Sequence, residues 1–530
     1  MENSNLVYGV KDRPNFGKVL VFALQQLLAI LAATIAVPAI INNGFNFTGE
    51  DAMSQSAALF GAGVGTIIYL LFTRFKSPVF LGSSFAFLGS MFAAFAGAVS
   101  VNVGYLGLII GAILAGLVYV VLAMIVKACG TRWINKIMPA VVIGPTVAII
   151  GLSLAGNAIG DLNGNIGGAG YEWVNAACLF CGLVTLFATI CCSIFGKKML
   201  KMIPFIIGIA AGYIAATVIT AIAHFGNFES LNLIHFEAFK NMQWYPNLVC
   251  IKAFGAFKDI TSVGQFFTYF WTIFIGYVPV AFVVFAEHIA DHKNLSSIIN
   301  QDLLTDPGLD NTLLGDGIGS MAGAFFGGCP NTTYGESIGC VAISGNASII
   351  TILVTAIMAI IASFIAPFTT LLATIPACVM GGVCIALYGF IAVSGLKMLQ
   401  GVDLGDNRNL FVVSVILICG VGGLCVTFKV NATQSIQLTE IACALILGII
   451  TNLICSIGRK EKAVSIIDDG VDVDQLENDI QAELEAEEEV AEEETEEADS
   501  EELTLKDLDI LKEQGLISDE EYEEKKKNLK

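Results

Sequence analysis

Long apolar stretches recur along most of the chain, and this feature limits its fold more than any other. They run from Gly17 to about Ile457, and many reach the roughly 18 residues that a helix needs to cross a bilayer. The mean hydropathy of +0.75 is strongly positive. The sequence therefore predicts an all-α polytopic membrane protein. Its N-terminus lacks the cleavage site of a secretory signal, so we expect the first span to direct insertion.

The negative net charge of the chain comes from its C-terminal tail. Residues 1–460 contain 20 basic and 19 acidic residues, a balance of +1, whereas residues 461–530 contain 7 and 28, a balance of −21. The acidity therefore says nothing about a substrate. We interpret 458–502 as an acidic cytoplasmic linker and 503–530 as a short helical C-terminal module, in which Ser518 and Glu521 form a capping box.

Hydropathy, together with the Gly, Pro and charged residues that separate the apolar stretches, predicts fourteen spans in two groups of seven. Residues 1–16 form a cytoplasmic N-terminus, 17–223 the first seven spans, 224–265 an extracytoplasmic loop, and 266–457 the second seven. The predicted limits are 17–41, 55–73, 79–97, 103–126, 137–155, 173–195, 202–223, 266–290, 312–328, 331–345, 347–366, 370–395, 409–427 and 436–457.

The distribution of Lys and Arg supports this count. Basic residues cluster before the first span and after spans two, four, six, eight, twelve and fourteen. By the positive-inside rule both termini are cytoplasmic, which requires an even number of spans. Two groups of seven spans then have opposite orientations, and this is the arrangement of an inverted repeat, which is common among transporters.

Spans three and ten are the least suited to face lipid. They read "SPVFLGSSFAFLGS" and "CPNTTYGESIGCVAIS", and each begins beside a proline, Pro78 or Pro330. Short spans broken by Gly and Pro at matching places in two halves point to a transporter's binding site, because unpaired backbone at membrane depth has to face protein or a cavity. The alternative is a merely kinked helix.

Few ionisable groups fall within the apolar segments, and three carboxylates among them form a candidate site. Glu287 and Asp291 are four residues apart in "VVFAEHIADHKNL" and share one helix face, and Glu336 lies in span ten. A charged side chain at the bilayer centre costs about 2.5–3.5 kcal/mol on insertion scales, so it usually has a function. Glu287 and Asp291 are therefore candidate proton carriers. In the alternative interpretation Asp291, His288 and His292 mark the cytoplasmic end of span eight.

The ligand that suits these groups is a flat, neutral heterocycle. The cores of the predicted spans contain neither Lys nor Arg to receive an anion. Carboxylates can accept hydrogen bonds from ring N–H groups, and the backbone amides of Phe85 and Gly335 can donate to ring carbonyls. Gln25 and Gln26, in the span that corresponds to span eight, either line the same cavity or bond a neighbouring helix.

Six motifs resemble the uracil permeases of the nucleobase–cation symporter-2 (nucleobase/ascorbate transporter) family. They are "YGVKDRPNFGK…LQQLLAILAATIAVP", "FLGSSFAFL", "VVFAEHIADH", "DLLTDPGL", "CPNTTYGESIG" and "GGVCIALYGFIAVSGLKML". The resemblance covers about residues 7–457 and implies fourteen spans in two inverted seven-helix repeats. It also implies a core domain (spans 1–4 and 8–11), a gate domain (spans 5–7 and 12–14), and short antiparallel strands in spans 3 and 10.

The same resemblance assigns roles to individual residues. It implies that Glu287 and Glu336 bind substrate through their side chains and that Phe85 and Gly335 do so through backbone amides, with Ser84 and Tyr334 alongside. The sequence departs from the family where some members have His and this chain has Asp291 and Gln26. It departs again after "YGE", where Ser337 and Ser344 replace the Asn and Thr that are often found. Proton coupling is therefore expected through Glu287 and Asp291, and Gln26 and Ser337 are further candidates to line the cavity.

These features together predict a proton-coupled uracil importer that works by alternating access. The alternatives are a symporter for xanthine or another purine on the same fold and, less favoured, an anion exchanger or channel of related fold. We expect no enzyme activity, metal or cofactor, and H⁺ as the coupling ion with Na⁺ as the alternative. The expected partners are the lipid bilayer and a second copy of the chain in a homodimer, and no nucleic acid binding is expected. The expected location is a bacterial plasma membrane.

Overall fold

The computed structural model describes most of the chain up to residue 457. It describes residues 6–457 apart from 164–171, 198–199, 201–202, 227–230, 243, 261 and 430–434, and beyond residue 457 it describes Lys527. The chain divides into two compact units, Met1–Ile467 and Asp468–Lys530. The expected acidic linker and C-terminal module lie outside the described residues except for Lys527, so both stay predictions.

Helices make up most of the described chain, as predicted. Those before the middle loop are α1 (Phe16–Phe45), α2 (Gln55–Phe72), α3 (Leu88–Ala96), α4 (Val101–Cys129), α5 (Arg132–Ile137), α6 (Ala140–Ser153), α7 (Ala155–Leu162), α8 (Glu172–Phe195) and α9 (Pro204–Gly226). Those that follow are α10 (Val249–Asp259), α11 (Val263–Ile299), α12 (Leu309–Gly327), α13 (Gly335–Ser344), α14 (Ile349–Ala362), α15 (Ala366–Ala373), α16 (Ala377–Lys397), α17 (Asn407–Val421) and α18 (Glu440–Cys455).

Eight helices in the described part are long and apolar enough to cross a membrane. A ninth candidate is the pair α14 and α15, which are bent by 83° relative to each other. Spans three and ten each combine a strand with a short helix. A count based on the length and hydropathy of helices therefore leaves them out. The chain is therefore a multi-pass helical membrane protein, and the exact number of fourteen spans stays a prediction.

Four short strands among the described residues form two antiparallel pairs. β1 (Leu81–Ser83) pairs with β2 (Asn331–Thr333), which confirms the strands expected in spans three and ten. β3 (Val426–Lys429) pairs with β4 (Ser435–Leu438). This second hairpin was not expected, because spans 409–427 and 436–457 were predicted to be helical there. The run of β-branched and aromatic residues in β3 suits a strand, and α17 accordingly ends before it.

The β1–β2 pair lies inside the protein and joins the two halves of the chain. Leu81 lies opposite Thr333, Ser83 lies opposite Asn331, and all six strand residues are buried. A bilayer offers no water to the backbone groups of a non-helical segment, so they need partners within the protein. Each strand supplies those partners to the other, which explains how two broken spans can exist at membrane depth.

Close packing of α2 against α12 brings these strands together, because β1 follows α2 and β2 follows α12. Gly65 of α2 faces Gly319 of α12. A Cβ atom on Gly65 would lie 2.7 Å from the Gly319 carbonyl oxygen, and one on Gly319 would lie 2.8 Å from the Gly65 carbonyl oxygen. Small residues allow membrane helices to approach this closely. A larger side chain at either position would separate the helices and thus the strands.

The N-terminal segment packs against the residues that follow α13. The Val7 amide donates a hydrogen bond to the Gly345 carbonyl oxygen at 2.7 Å. The Ser348 hydroxyl donates to the Asp12 carbonyl oxygen, also at 2.7 Å. The end of α13 and the beginning of α1 therefore lie on the same side of the molecule.

Candidate functional site

A cavity of about 270 Å³ lies beside the two broken spans. Part of its lining comes from the strands, the turns after them and helices α1, α11 and α13. These residues are Ala29, Ser83, Phe85, Glu287, Ala290, Asp291, Asn294, Thr332, Thr333, Tyr334, Gly335, Glu336, Gly339, Cys340 and Ile343. The remaining lining residues belong to α6, α8, α9 and α16, and they are Val147, Ser193, Pro204, Phe205, Phe390, Ile391 and Ser394.

All three predicted carboxylates line this cavity. Glu287 and Asp291 lie one turn apart on α11, and Glu336 lies in the first turn of α13. The Thr333 hydroxyl donates a hydrogen bond to Asp291 Oδ2 at 2.6 Å. The positive end of the α13 dipole favours negative charge at Glu336. Among the described lining residues no Lys, Arg or His is present, so the charged groups of the site are hydrogen-bond acceptors when ionised.

Two helical segments begin at the cavity. Phe85 begins a 3₁₀ turn (Phe85–Phe87) that leads into α3, and Gly335 is the first residue of α13. Amides in the first turn of a helix have no acceptor within that helix. The residues before them, Ser84 and Tyr334, form no side-chain cap. A Cβ atom on Gly335 would meet no atom within 4 Å, so this glycine faces open space.

Aromatic rings complete the wall near these amides. The Phe85 ring packs edge to face against Tyr388 with centroids 5.5 Å apart. The Tyr334 hydroxyl donates to the Ser83 carbonyl oxygen at 3.0 Å. Ser84 is fully buried next to the cavity but is not among its lining residues. Of the six residues expected to bind substrate, the structure therefore brings five to the cavity wall and places Ser84 directly behind it.

Gln26 and Ser337 lie behind the wall, which corrects the expectation that they line the cavity. Gln26 Nε2 donates a hydrogen bond to Ser337 Oγ and another, at 3.2 Å, to the Ser337 carbonyl oxygen. The Phe80 amide also donates to Ser337 Oγ, at 3.0 Å. These bonds connect α1, α13 and the residue before β1. The Gln26 amide therefore bonds a neighbouring helix, which is the second of the two alternatives considered.

The sequence analysis missed a buried ionisable pair close to Glu287. His288 Nδ1 lies 2.7 Å from Asp316 Oδ2, and both side chains are fully buried. His288 Nε2 lies 3.0 Å from Thr312 Oγ1. Thr312 and Asp316 are four residues apart in α12. A carboxylate in a glycine-rich apolar segment, "LLGDGIGS", was the available signal, but its partner is on another helix.

The second histidine of the motif is also buried. His292 Nε2 lies 2.7 Å from the Tyr69 hydroxyl, which donates to Ser77 Oγ at the same distance. The rings of His288 and His292 are in contact, with centroids 4.0 Å apart and planes tilted by 31°. Both rings therefore pack and form hydrogen bonds inside the protein, and their interpretation as markers of the cytoplasmic end of span eight stays a prediction.

The cavity extends toward the side on which the N-terminal segment lies. Its lining includes Ile343, near the end of α13 that packs on that segment, and Pro204 at the first turn of α9. On the opposite side Asn43, near the far end of α1, donates to Asp161 Oδ1 of α7 at 3.4 Å. The cavity lining therefore reaches toward the N-terminal side, and a hydrogen bond connects α1 and α7 at the other side.

Comparison with solved structures identifies the fold. The transmembrane domain of the cyanobacterial bicarbonate transporter BicA superposes with a TM-score of 0.51 at 15% identity, covering 85% of this chain and 100% of that one. The murine Slc26a9 anion transporter in the inward-facing state superposes with a TM-score of 0.57 at 12% identity, covering 84% and 69%. At these identities the similarity concerns the fold alone.

Comparison of sequences identifies the family. The Xan_ur_permease model, described as the Permease family, matches residues 17–429. Uracil permeases of Bacillus caldolyticus and Bacillus subtilis (strain 168) are 38% and 35% identical, covering 87% of this chain and 98% of each relative. That of Escherichia coli (strain K12) is 31% identical over 88% of this chain and 98% of the relative. The chain thus belongs to this permease family, which confirms the predicted resemblance, and it is a membrane transporter rather than an enzyme.

Proposed function

We propose that the chain is a uracil importer that uses the proton gradient and works by alternating access. The observation that carries the proposal is that Glu287, Glu336, and the first-turn amides at Phe85 and Gly335 all meet at one cavity. Relatives named uracil permease that cover most of the chain supply the substrate. The cavity volume of about 270 Å³ is near the lower end of the usual range for ligand pockets, which suits a single small ring.

The two edges of uracil are complementary to these groups. Its two ring N–H groups are donors, and the carboxylates of Glu287 and Glu336 are acceptors. Its two carbonyl oxygens are acceptors, and the amides at the start of the 3₁₀ turn and of α13 are donors. The apolar body of Phe85 is available to pack on the ring face. A planar neutral ligand thereby uses the carboxylates, the backbone amides and the aromatic face that the cavity offers.

Asp291 is proposed to carry the coupled proton together with Glu287. It lies one turn from Glu287 and already accepts a hydrogen bond from Thr333 of β2, so its protonation state can affect the strand next to the substrate. One proton that crosses about 100 mV supplies about 2.3 kcal/mol, and one pH unit adds about 1.4 kcal/mol. Together these support roughly 500-fold accumulation of a neutral substrate. One proton is enough, and Na⁺ is the alternative coupling ion.

Alternating access is supported by which helices line the cavity. Its lining combines α11 and α13, which the family resemblance assigns to a core domain, with α9 and α16, which it assigns to a gate domain. Movement of one group against the other would expose the same carboxylates to either side in turn. We further propose fourteen spans, cytoplasmic termini, a bacterial plasma membrane location and a homodimer formed through the gate domain.

Two alternatives remain on the same fold. A xanthine or other purine symporter needs a larger pocket for its second ring. An anion exchanger or channel is suggested by the fold similarity to the BicA and Slc26a9 transporters. It is disfavoured because the described cavity lining contains three carboxylates and no basic side chain.

Uptake of radiolabelled uracil into proteoliposomes tests this proposal. A pH gradient that is acidic outside should drive accumulation, and a protonophore should abolish it. Competition should rank uracil above xanthine, and bicarbonate should not compete. Accumulation that a protonophore does not affect would contradict proton coupling, and stronger competition by xanthine would favour the purine alternative.

A further inference from the structure

We propose that α10 is an interfacial helix whose exposed apolar face binds lipid at the boundary between headgroups and acyl chains. This helix lies in the loop between the two halves of the chain, and the transport proposal assigns it no role. The occupant is the bilayer leaflet next to that loop, and neither a soluble ligand nor another protein is required.

The helix is amphipathic, with large side chains on its outer face. Ile251, Phe254 and Phe257 are spaced by three residues, and each is about two-thirds exposed (68%, 66% and 68%). The opposite face carries Val249, Ala253 and Ala256, which are buried. A helix with this division, and with bulky apolar residues on the unpartnered face, is typical of segments that lie in the plane of a membrane interface.

Polar contacts fix the inner face of α10 at the end of a membrane-spanning helix. Lys252 Nζ donates to the Glu50 carbonyl oxygen at 2.6 Å and lies 4.6 Å from the centre of the Tyr105 ring. Ser100 Oγ donates to Asp259 Oδ2 at 2.6 Å. Ser100 and Tyr105 belong to the cap and first turns of α4, which is long and apolar enough to span the membrane. The helix therefore lies at the level where α4 leaves the bilayer.

The next helix along the chain also has an exposed apolar stripe. Along α11, Val263, Phe267 and Trp271 recur every four residues and are exposed by 73%, 58% and 49%. Since α11 is long and apolar enough to span the membrane, an exposed apolar stripe along it contacts lipid. Just before α10, Trp244 and Tyr245 are exposed as well, and these two residue types concentrate at membrane interfaces.

The charge on the outer face is compatible with lipid. Lys258 is exposed next to Phe257, and lysine at an interface extends its amine toward the headgroups while its alkyl stem contacts apolar surface. Among the described residues of α10, Asp259 is the acidic one, and it is bonded to Ser100 on the inner side. The outer face therefore presents apolar and cationic groups, which matches a headgroup boundary.

Quenching of tryptophan fluorescence by brominated lipid tests this placement. The four native tryptophans are replaced by Phe, and Phe254→Trp is introduced into the full-length protein. Because Phe254 is exposed, this change should leave the fold intact, and uracil uptake checks that it does. Phe267→Trp on α11 serves as the lipid-exposed control, and Val7→Trp, in the N-terminal segment before α1, serves as the water-exposed control.

The proposal predicts a specific order of quenching in phosphatidylcholine vesicles. An interfacial helix is buried by about 5–10 Å at the boundary between headgroups and acyl chains. Bromine near the headgroup should therefore quench the Phe254→Trp reporter more than bromine deep in the chain. The Phe267→Trp control should also respond to brominated lipid, and Val7→Trp should respond to neither bromine position.

Two results would overturn the proposal. A Phe254→Trp reporter that is insensitive to both lipids but is quenched by aqueous acrylamide would show that the face is in water. A reporter that is insensitive to all quenchers, together with cross-linking between copies that carry Phe254→Cys, would show that a second copy covers the face.

Discussion

The two broken spans have the same architecture but carry different chemistry. In the first half β1 leads into a 3₁₀ turn and α3, and in the second half β2 leads into α13. The first contributes the Phe85 ring and backbone amides, whereas the second contributes Glu336, and α11 of the second half adds Glu287 and Asp291. The repeated architecture therefore provides the geometry of the site, and the second half provides its charge. If this division is correct, substitutions in the second half should reduce uracil binding and transport more than substitutions in the first half.

The largest effect is expected from Glu336→Gln, which removes a carboxylate acceptor and adds an amide donor where the substrate presents N–H. We expect uracil binding to be abolished, as measured by equilibrium binding to purified protein. Glu440→Gln is a matched control, because Glu440 also lies in the first turn of a helix, α18, but not at the cavity. Normal affinity in Glu336→Gln would show that the assigned pocket is wrong.

A large but selective effect is expected from Asp291→Asn. The amide still accepts a hydrogen bond from Thr333 but cannot carry a proton. Exchange of labelled for unlabelled uracil should continue, while accumulation driven by a pH gradient should fall toward the equilibrium level. Asp310→Asn, which changes an acidic residue in the first turn of α12, is the control. Equal loss of exchange and accumulation would assign Asp291 to binding instead of coupling.

A moderate effect is expected from Phe85→Leu in the first half. Loss of the aromatic face should weaken uracil binding by about 2- to 10-fold, since an aromatic contact contributes roughly 0.5–1.5 kcal/mol beyond its buried area. Phe87→Leu is the matched control, because Phe87 is buried against Tyr277 and does not line the cavity. If Phe85→Leu weakened uracil binding as much as Glu336→Gln, the proposed asymmetry between the halves would be refuted.

The smallest effect on transport is expected from Ser337→Ala. This change removes the hydroxyl that accepts hydrogen bonds from the Phe80 amide and from Gln26 Nε2. Gln26 keeps the Ser337 carbonyl oxygen as an acceptor, but the Phe80 amide loses its acceptor, and a buried donor left without a partner costs about 1–3 kcal/mol. We expect a lower melting temperature in detergent with a nearly unchanged KM for uracil. The variant Gln26→Glu, which keeps the side-chain length, should behave similarly. A large change in KM with normal stability would indicate that Ser337 and Gln26 contribute to the substrate site.

The sequence was sufficient to predict the broken spans and most of the cavity wall. Pro78 and Pro330 mark where apolar helices cannot continue, and the polar residues after them need partners, so both broken spans were predictable from local pattern. The strands within them were implied by the resemblance to known permeases. Glu287 and Glu336 were predictable because charge in an apolar segment is rare. The resemblance to known permeases then supplied their roles.

Features that depend on contacts between distant helices were not predictable. Asp316 is one carboxylate among glycines, and its pairing with His288 requires the packing of α12 on α11. The same applies to Gln26, whose sequence position fits both a cavity and a helix contact until Ser337 is placed beside it. Local pattern identifies which groups are unusual, and tertiary packing determines which partner each one has.

The hydrogen bond from Ser348 to Asp12 connects residues 336 positions apart, and this has a consequence for biogenesis. At a translation rate of about 5–20 residues per second, the segment around Asp12 leaves the ribosome roughly 17–70 s before its partner exists. During that interval its backbone can be engaged by water or by chaperones. The start of the polypeptide therefore reaches its final position late, after the second half has been inserted.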